Sequence, residues 1–175
     1  MRRIRWIALM GVGLAVGACQ DDPLTSKTPD APPPPTQGVQ AFLQVDNDQA
    51  KPGDVVHVYV RVQFASGADT RLGSYTGRLH FDAATLGWQQ DNPIDDGLRV
   101  TNPNGAPDGE IRFAGASAAG FGDLTLYQGT FQVKTAGWAD GLALQMDELS
   151  AAQTLGNLRP ALQVTPSIFL RSAAN

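Results

Sequence analysis

The sequence predicts an all-β fold: a jelly-roll β-sandwich of eight to nine strands, preceded by a signal peptide and a disordered proline-rich stalk. Three observations carry that prediction. Val56, Val58, Val60, Val62 and Phe64 fall on one parity, with His57, Tyr59, Arg61 and Gln63 on the other. That is the period of two of a long strand with one buried and one wet face. Gly, Pro, Asn and Asp clusters interrupt the apolar runs at short intervals, as turn residues do between strands. No segment shows a capped 3.6-residue period, so no helix is expected.

Taken in order, Val39 to Val45 is a first strand, and Asp46-Asn47-Asp48 a turn. Lys51-Pro52-Gly53-Asp54 is a second turn, with Pro fixing φ and Gly allowing φ > 0, and it leads into Val55–Phe64. Tyr75–Phe81, Leu86–Trp88, Leu98–Val100 and Glu110–Phe113 follow as strands, divided by Asp82–Thr85, Asp91–Gly97 and two Pro/Gly turns at 102–105 and 107–109. Ala114 to Gly122 reads as a small-residue loop. Leu124–Val133, Leu142–Met146 and Leu162–Leu170 complete the set, and Pro160 and Pro166 mark edges or breaks because proline cannot donate to a ladder. The expected division is 1–18 signal peptide, 19–38 anchor and linker, 39–172 sandwich, 173–175 tail. The sandwich is long enough for one self-sufficient core.

The first residues have a different character. Arg2, Arg3 and Arg5 precede the apolar run Ile7–Ala18, the pattern of an export signal. The run ends Val16-Gly17-Ala18-Cys19, which resembles the lipobox of bacterial lipoproteins. The resemblance implies cleavage between Ala18 and Cys19 and lipidation of the Cys19 thiol. Two or three acyl chains, at about 0.8 kcal/mol per buried methylene, hold a protein on a membrane nearly permanently. Gln20 follows, with no Asp at that position, which in such lipoproteins implies sorting to the outer membrane. Cys19 is the only cysteine, so the exported domain has no internal disulfide to rely on. Residues 20–38, with Pro32 to Pro35 in succession, read as a disordered or polyproline II stalk. Removing residues 1–18 takes away three of the 13 basic side chains and none of the 17 acidic ones, leaving a net charge of −7. A domain of that sign is no nucleic-acid binder.

The order of the motifs carries a second resemblance. Lys51-Pro52-Gly53-Asp54 leads into a Val-rich strand; then come Arg78-Leu79-His80-Phe81-Asp82, Thr85-Leu86, Gly109–Ala114 and Leu124–Lys134. In that series the chain resembles cohesin domains over residues 39–172. The resemblance implies a sandwich related to some carbohydrate-binding modules, and a protein partner of dockerin type held on one sheet face. Ala83 stands where the family has proline after an aromatic-Asp pair. No partner-contacting position carries over, so the ligand-binding residues are unknown at this point.

Other chemistry is thin. His57 and His80 both have outward parity, which would allow one wet face to hold both, but a zinc site needs a third ligand, so no metal and no cofactor is expected. Asp91-Asn92-Pro93-Ile94-Asp95-Asp96-Gly97 is rich in oxygen but lacks EF-hand spacing and reads as a solvated turn. No Gly-x-Ser-x-Gly, phosphate loop or His-Glu-x-x-His occurs. Asp147 and Glu148 are strand neighbours that should point to opposite faces, so they do not form an acid/base pair, and no enzyme is expected. Tyr59, Tyr75, Tyr127, Trp88 and Trp138 would stack on sugars only if several shared an exposed face; rings in a sandwich are more often core.

The expected function is therefore that of a non-catalytic binding module, lipid-anchored in the cell envelope, docking a protein partner by one sheet face. Polysaccharide binding by exposed rings and a purely structural envelope role are the alternatives. Coplanar exposed aromatics would favour sugar; an extended, weakly charged apolar face without them would favour protein.

Overall fold

The computed structural model describes residues 30–68 and 70–171. The export signal, Ala18, Cys19, the first part of the stalk and the tail at 173–175 lie outside these residues.

Nine strands are formed among the described residues: β1 (Val39–Val45), β2 (Val55–Phe64), β3 (Leu72–His80), β4 (Leu86–Asp91), β5 (Leu98–Asn102), β6 (Glu110–Ala116), β7 (Thr125–Val133), β8 (Ala143–Ala151) and β9 (Leu162–Leu170). They build a β-sandwich of two sheets, one of five strands in the order β4-β7-β2-β1-β9 and one of four in the order β5-β6-β3-β8. Every pairing is antiparallel except β1 with β9, which brings the first and last strands side by side.

The period-two pattern does the work expected of it. Val56, Val58, Val60 and Val62 of β2 and Val39, Ala41, Leu43 and Val45 of β1 are all buried and face Leu79, Ile111 and Leu149 of the other sheet. Each such valine, leucine or isoleucine, fully buried, contributes about 1.5–3 kcal/mol. Trp138 belongs to the same core, 2% exposed, with its indole N–H donating to the Ala50 carbonyl oxygen at 3.3 Å.

Pro166 sits on β9, an edge strand, where the register with β1 shifts between Ala41 and Leu43. The missing N–H is tolerated there, as expected of an edge proline. Three expectations change. Ala114, Gly115 and Ala116 continue β6 and do not form a loop, because β3 and β5 pair with them on both sides; ladder pairing outweighs the weak strand propensity of small residues. A bulge in β8, where the register with β3 shifts at Thr76/Gly77, leaves Asp147 unpaired. Asp147 and Glu148 therefore both lie outside the core, where an unbroken pleat would have sent them to opposite faces. Finally, the ordered domain reaches back beyond Val39: Pro32 and Pro35 are buried against it.

Candidate docking face on the four-stranded sheet

The outer face of the β5-β6-β3-β8 sheet is the candidate site, and it begins with an inverted strand. In β5 the alternation Leu98-Arg99-Val100 would normally send the two apolar side chains inward. The reverse is found: Leu98 is 68% and Val100 59% exposed, while the Arg99 side chain is only 11% exposed. Arg99 is held inside by five partners. Its Nε donates to the Asp96 carbonyl oxygen (2.7 Å), and Nη1 to the Tyr75 hydroxyl (2.9 Å) and to the Thr125 carbonyl oxygen. Nη2 donates to the Asp123 carbonyl oxygen (3.1 Å) and lies 3.6 Å from the Asp96 carboxylate. The guanidinium carbon is 4.5 Å from the centre of the Phe121 ring, close enough for a cation–π contact.

Register extends the apolar strip inward from the edge. Leu98 pairs with Ala116 and Val100 with Ala114 on β6; Ala116 and Ala114 pair in turn with Ser74 and Thr76 on β3. This strip of short side chains is bordered by charge. Arg78 and Arg112 stand directly opposite each other, a repulsive pair relieved on both sides. Arg78 Nε meets Asp147 Oδ2 at 3.0 Å, and Arg112 Nε meets Glu110 Oε1 at 2.6 Å. Arg112 holds the Glu110 carboxyl below its ordinary range. A shallow depression of about 490 Å³ lies between Val100, Ala114 and Thr76 on one side and Arg78, Arg112 and Asp147 on the other. The face is thus apolar at one edge and internally neutralised at the other.

The platform beneath is stiff. Tyr75, Phe113 and Tyr127 pack under it, Phe113 and Tyr127 stacked with centres 5.6 Å apart. Room for the rings comes from inward-facing glycine: a Cβ on Gly115 would lie 2.5–2.6 Å from the Tyr75 ring. The Tyr75 hydroxyl crosses to the other sheet and donates to the Leu126 carbonyl oxygen at 2.7 Å. Burial raises the pKa of Tyr75 and, more strongly, of Tyr127, where the nearby Asp91 carboxylate adds to the effect.

The other candidates from the sequence separate in space. His57 is on the outer face of the five-stranded sheet, with Nδ1 2.6 Å from Asp46, and His80 is on the four-stranded sheet, 3.8 Å from Glu110. The two do not share a face, because β2 and β3 belong to different sheets. Asp96, in the oxygen-rich loop, accepts from the Gly122 and Asp123 N–H groups at 2.7 and 2.8 Å, so its carboxylate ties two loops together. Among the described residues no three His, Cys, Asp or Glu side chains converge as a metal site. Tyr59, Tyr75, Tyr127 and Trp138 are buried and Trp88 is half-buried against the core, so these five form no exposed platform. Nothing local in the sequence marks Leu98, Val100, Ala114 and Arg112 as one face. Which parity of a five-residue strand turns inward is decided by Arg99, whose acceptors lie on loops and on β3 and β7.

No protein-family model matches the sequence, and no curated protein matches it. Solved structures do match. The sixth cohesin of scaffoldin B from Acetivibrio cellulolyticus, solved in complex with a dockerin, superposes with a TM-score of 0.54 at 16% identity, covering 75% of this chain and 99% of that one. A type I cohesin of Clostridium thermocellum, also in a dockerin complex, gives 0.57 at 13% identity, covering 77% and 94%. A non-cellulosomal cohesin of the archaeon Archaeoglobus fulgidus gives 0.52 at 19% identity, covering 76% and 92%. The chain has a cohesin-like β-sandwich fold, as the order of its motifs implied.

Proposed function

We propose that this chain is a non-catalytic docking module that binds a protein partner through the outer face of the β5-β6-β3-β8 sheet. In this reading it is exported, lipidated on Cys19 and carried on the cell envelope, at the outer membrane. The observation that carries the docking is the outward strip Leu98, Val100, Ala114 and Ala116. Leu98 and Val100 would be well placed in the core, yet the sandwich spends an inward position of the same strand on an arginine. A contiguous apolar strip beside paired, mutually neutralised charges is the composition of a protein-binding patch. The structural neighbours solved with dockerins support a partner of dockerin type. A sugar site would need rings open to solvent; four of the five candidates lie in or against the core, and Tyr59, on the outer face of the five-stranded sheet, is buried beneath Arg171.

The test is capture from envelope and secreted extracts with the chain bearing Cys19→Ser, beside a parallel chain carrying Leu98→Asp and Val100→Asp. Retention of a protein with a duplicated calcium-loop motif by the first and not the second supports the reading. Saturable binding of a polysaccharide, unaffected by the two substitutions, overturns it.

A further inference from the structure

The outer face of the five-stranded sheet carries an independent feature. Its outward positions include Gln40 and Gln44 on β1 and Gln63 on β2, the register pairing Gln40 with Gln63. The Gln63 Nε2 donates to the Pro32 carbonyl oxygen at 3.0 Å, to Pro33 at 3.2 Å and to Gln40 Oε1 at 2.8 Å. Gln44 Nε2 donates to the Asp30 carbonyl oxygen. Prolines offer carbonyl acceptors and no N–H, so a row of side-chain amide donors is the complementary surface. Pro32 and Pro35 are buried, whereas Pro33 and Pro34 are exposed. A spacing of three is one turn of polyproline II, which lays every third ring along one edge. The same face holds two aromatic side chains, Phe42, edge-on to Phe169, and Tyr59, beneath the Arg171 guanidinium at 4.2 Å. Gly38 then turns the chain into β1 at φ +76°, and a Cβ there would lie 2.4 Å from the Ala161 carbonyl oxygen.

We propose that this face is a polyproline-binding surface whose ligand is the chain's own Asp30–Pro35 segment, bound as a strap. A stalk free from residue 20 to Gly38 would let the domain tumble on its tether. With the strap bound, the tether is fixed down to Asp30 on the sheet opposite Leu98 and Val100, so the docking face is held away from the point where the preceding chain departs. Only this last consequence rests on the docking reading; the strap itself does not.

Spin labels on Ala31→Cys and Asn104→Cys, in the full chain with Cys19→Ser, read the strap directly by pulsed electron–electron distance measurement. Asn104 is exposed at the end of β5. A bound strap gives one narrow distance distribution. A free segment between Ala31 and Val39 would sweep about 15 Å and give a broad one, which overturns the proposal. Gln63→Leu combined with Pro32→Asp and Pro35→Asp should convert narrow to broad while circular dichroism keeps its β signature; a distribution that stays narrow in the variant also overturns it. No partner is needed, so the result stands whatever becomes of the docking experiment.

Discussion

The Arg99 guanidinium donates to the Tyr75 hydroxyl at 2.9 Å, and the same hydroxyl donates to the Leu126 carbonyl oxygen at 2.7 Å. An arginine on β5, a tyrosine on β3 and a carbonyl on β7 are thereby joined through the sandwich. The relay fixes the parity of β5 and so places Leu98 and Val100 on the surface.

Removing the relay should cost stability in two graded steps. Tyr75→Phe leaves the Leu126 carbonyl without its side-chain donor and should destabilise by about 1–2 kcal/mol. Arg99→Met strands the carbonyl oxygens of Asp96, Thr125 and Asp123 together, and should cost about 3 kcal/mol or more. Urea unfolding midpoints of the two variants check the order.

Leu98→Asp and Val100→Asp should do the opposite. Both positions are mostly exposed, so each should change stability by no more than about 0.5 kcal/mol. Partner capture should nevertheless fall at least tenfold, about 1.4 kcal/mol. A thermal melt beside a binding titration separates the two effects.

Trp138→Ala distinguishes core from sugar platform. The ring is buried and bonded to Ala50, so its loss should destabilise by about 3–5 kcal/mol. A stable variant with weakened polysaccharide binding would contradict this placement.

Alkaline pH should unfold the domain through its tyrosines. Tyr59, Tyr75 and Tyr127 all have pKa values raised above the ordinary value, chiefly by burial. The folded chain therefore keeps phenol protons that the unfolded chain releases. The associated stability is fully present below about pH 10, the unfolded pKa, and is lost as pH rises above it. Urea midpoints measured at about pH 9 and about pH 11 should show the fall, and Tyr127→Phe should reduce it.

Gly115→Val tests the packing beneath the proposed docking face. A Cβ at Gly115 already meets the Tyr75 ring at 2.5 Å, so the larger side chain should cost about 1–3 kcal/mol by overpacking. The unfolding midpoint reads it.

The sequence by itself determined the all-β class, the bounds of β1, β2 and β9, and the inward set Val56, Val58, Val60 and Val62. Period two over ten residues is a local signal, and burial of one face follows from it wherever the strand is placed. What only the tertiary structure decided depends on partners distant in sequence. His57 and His80 look alike in parity, yet they face opposite solvents because β2 and β3 enter different sheets. Ala114–Ala116 became strand because two neighbours paired with it, and Asp147 left the pleat at a bulge set against β3. Leu98 and Val100 turned outward because the acceptors of Arg99 lie on other strands and loops. Pro32 and Pro33, in composition a linker, are held through their carbonyl oxygens by Gln63, which is itself braced by Gln40 only once β1 and β2 have paired. Hydrogen-bond partners and strand neighbours are properties of the assembled sandwich, and they decide which residues of a legible strand are left on the surface.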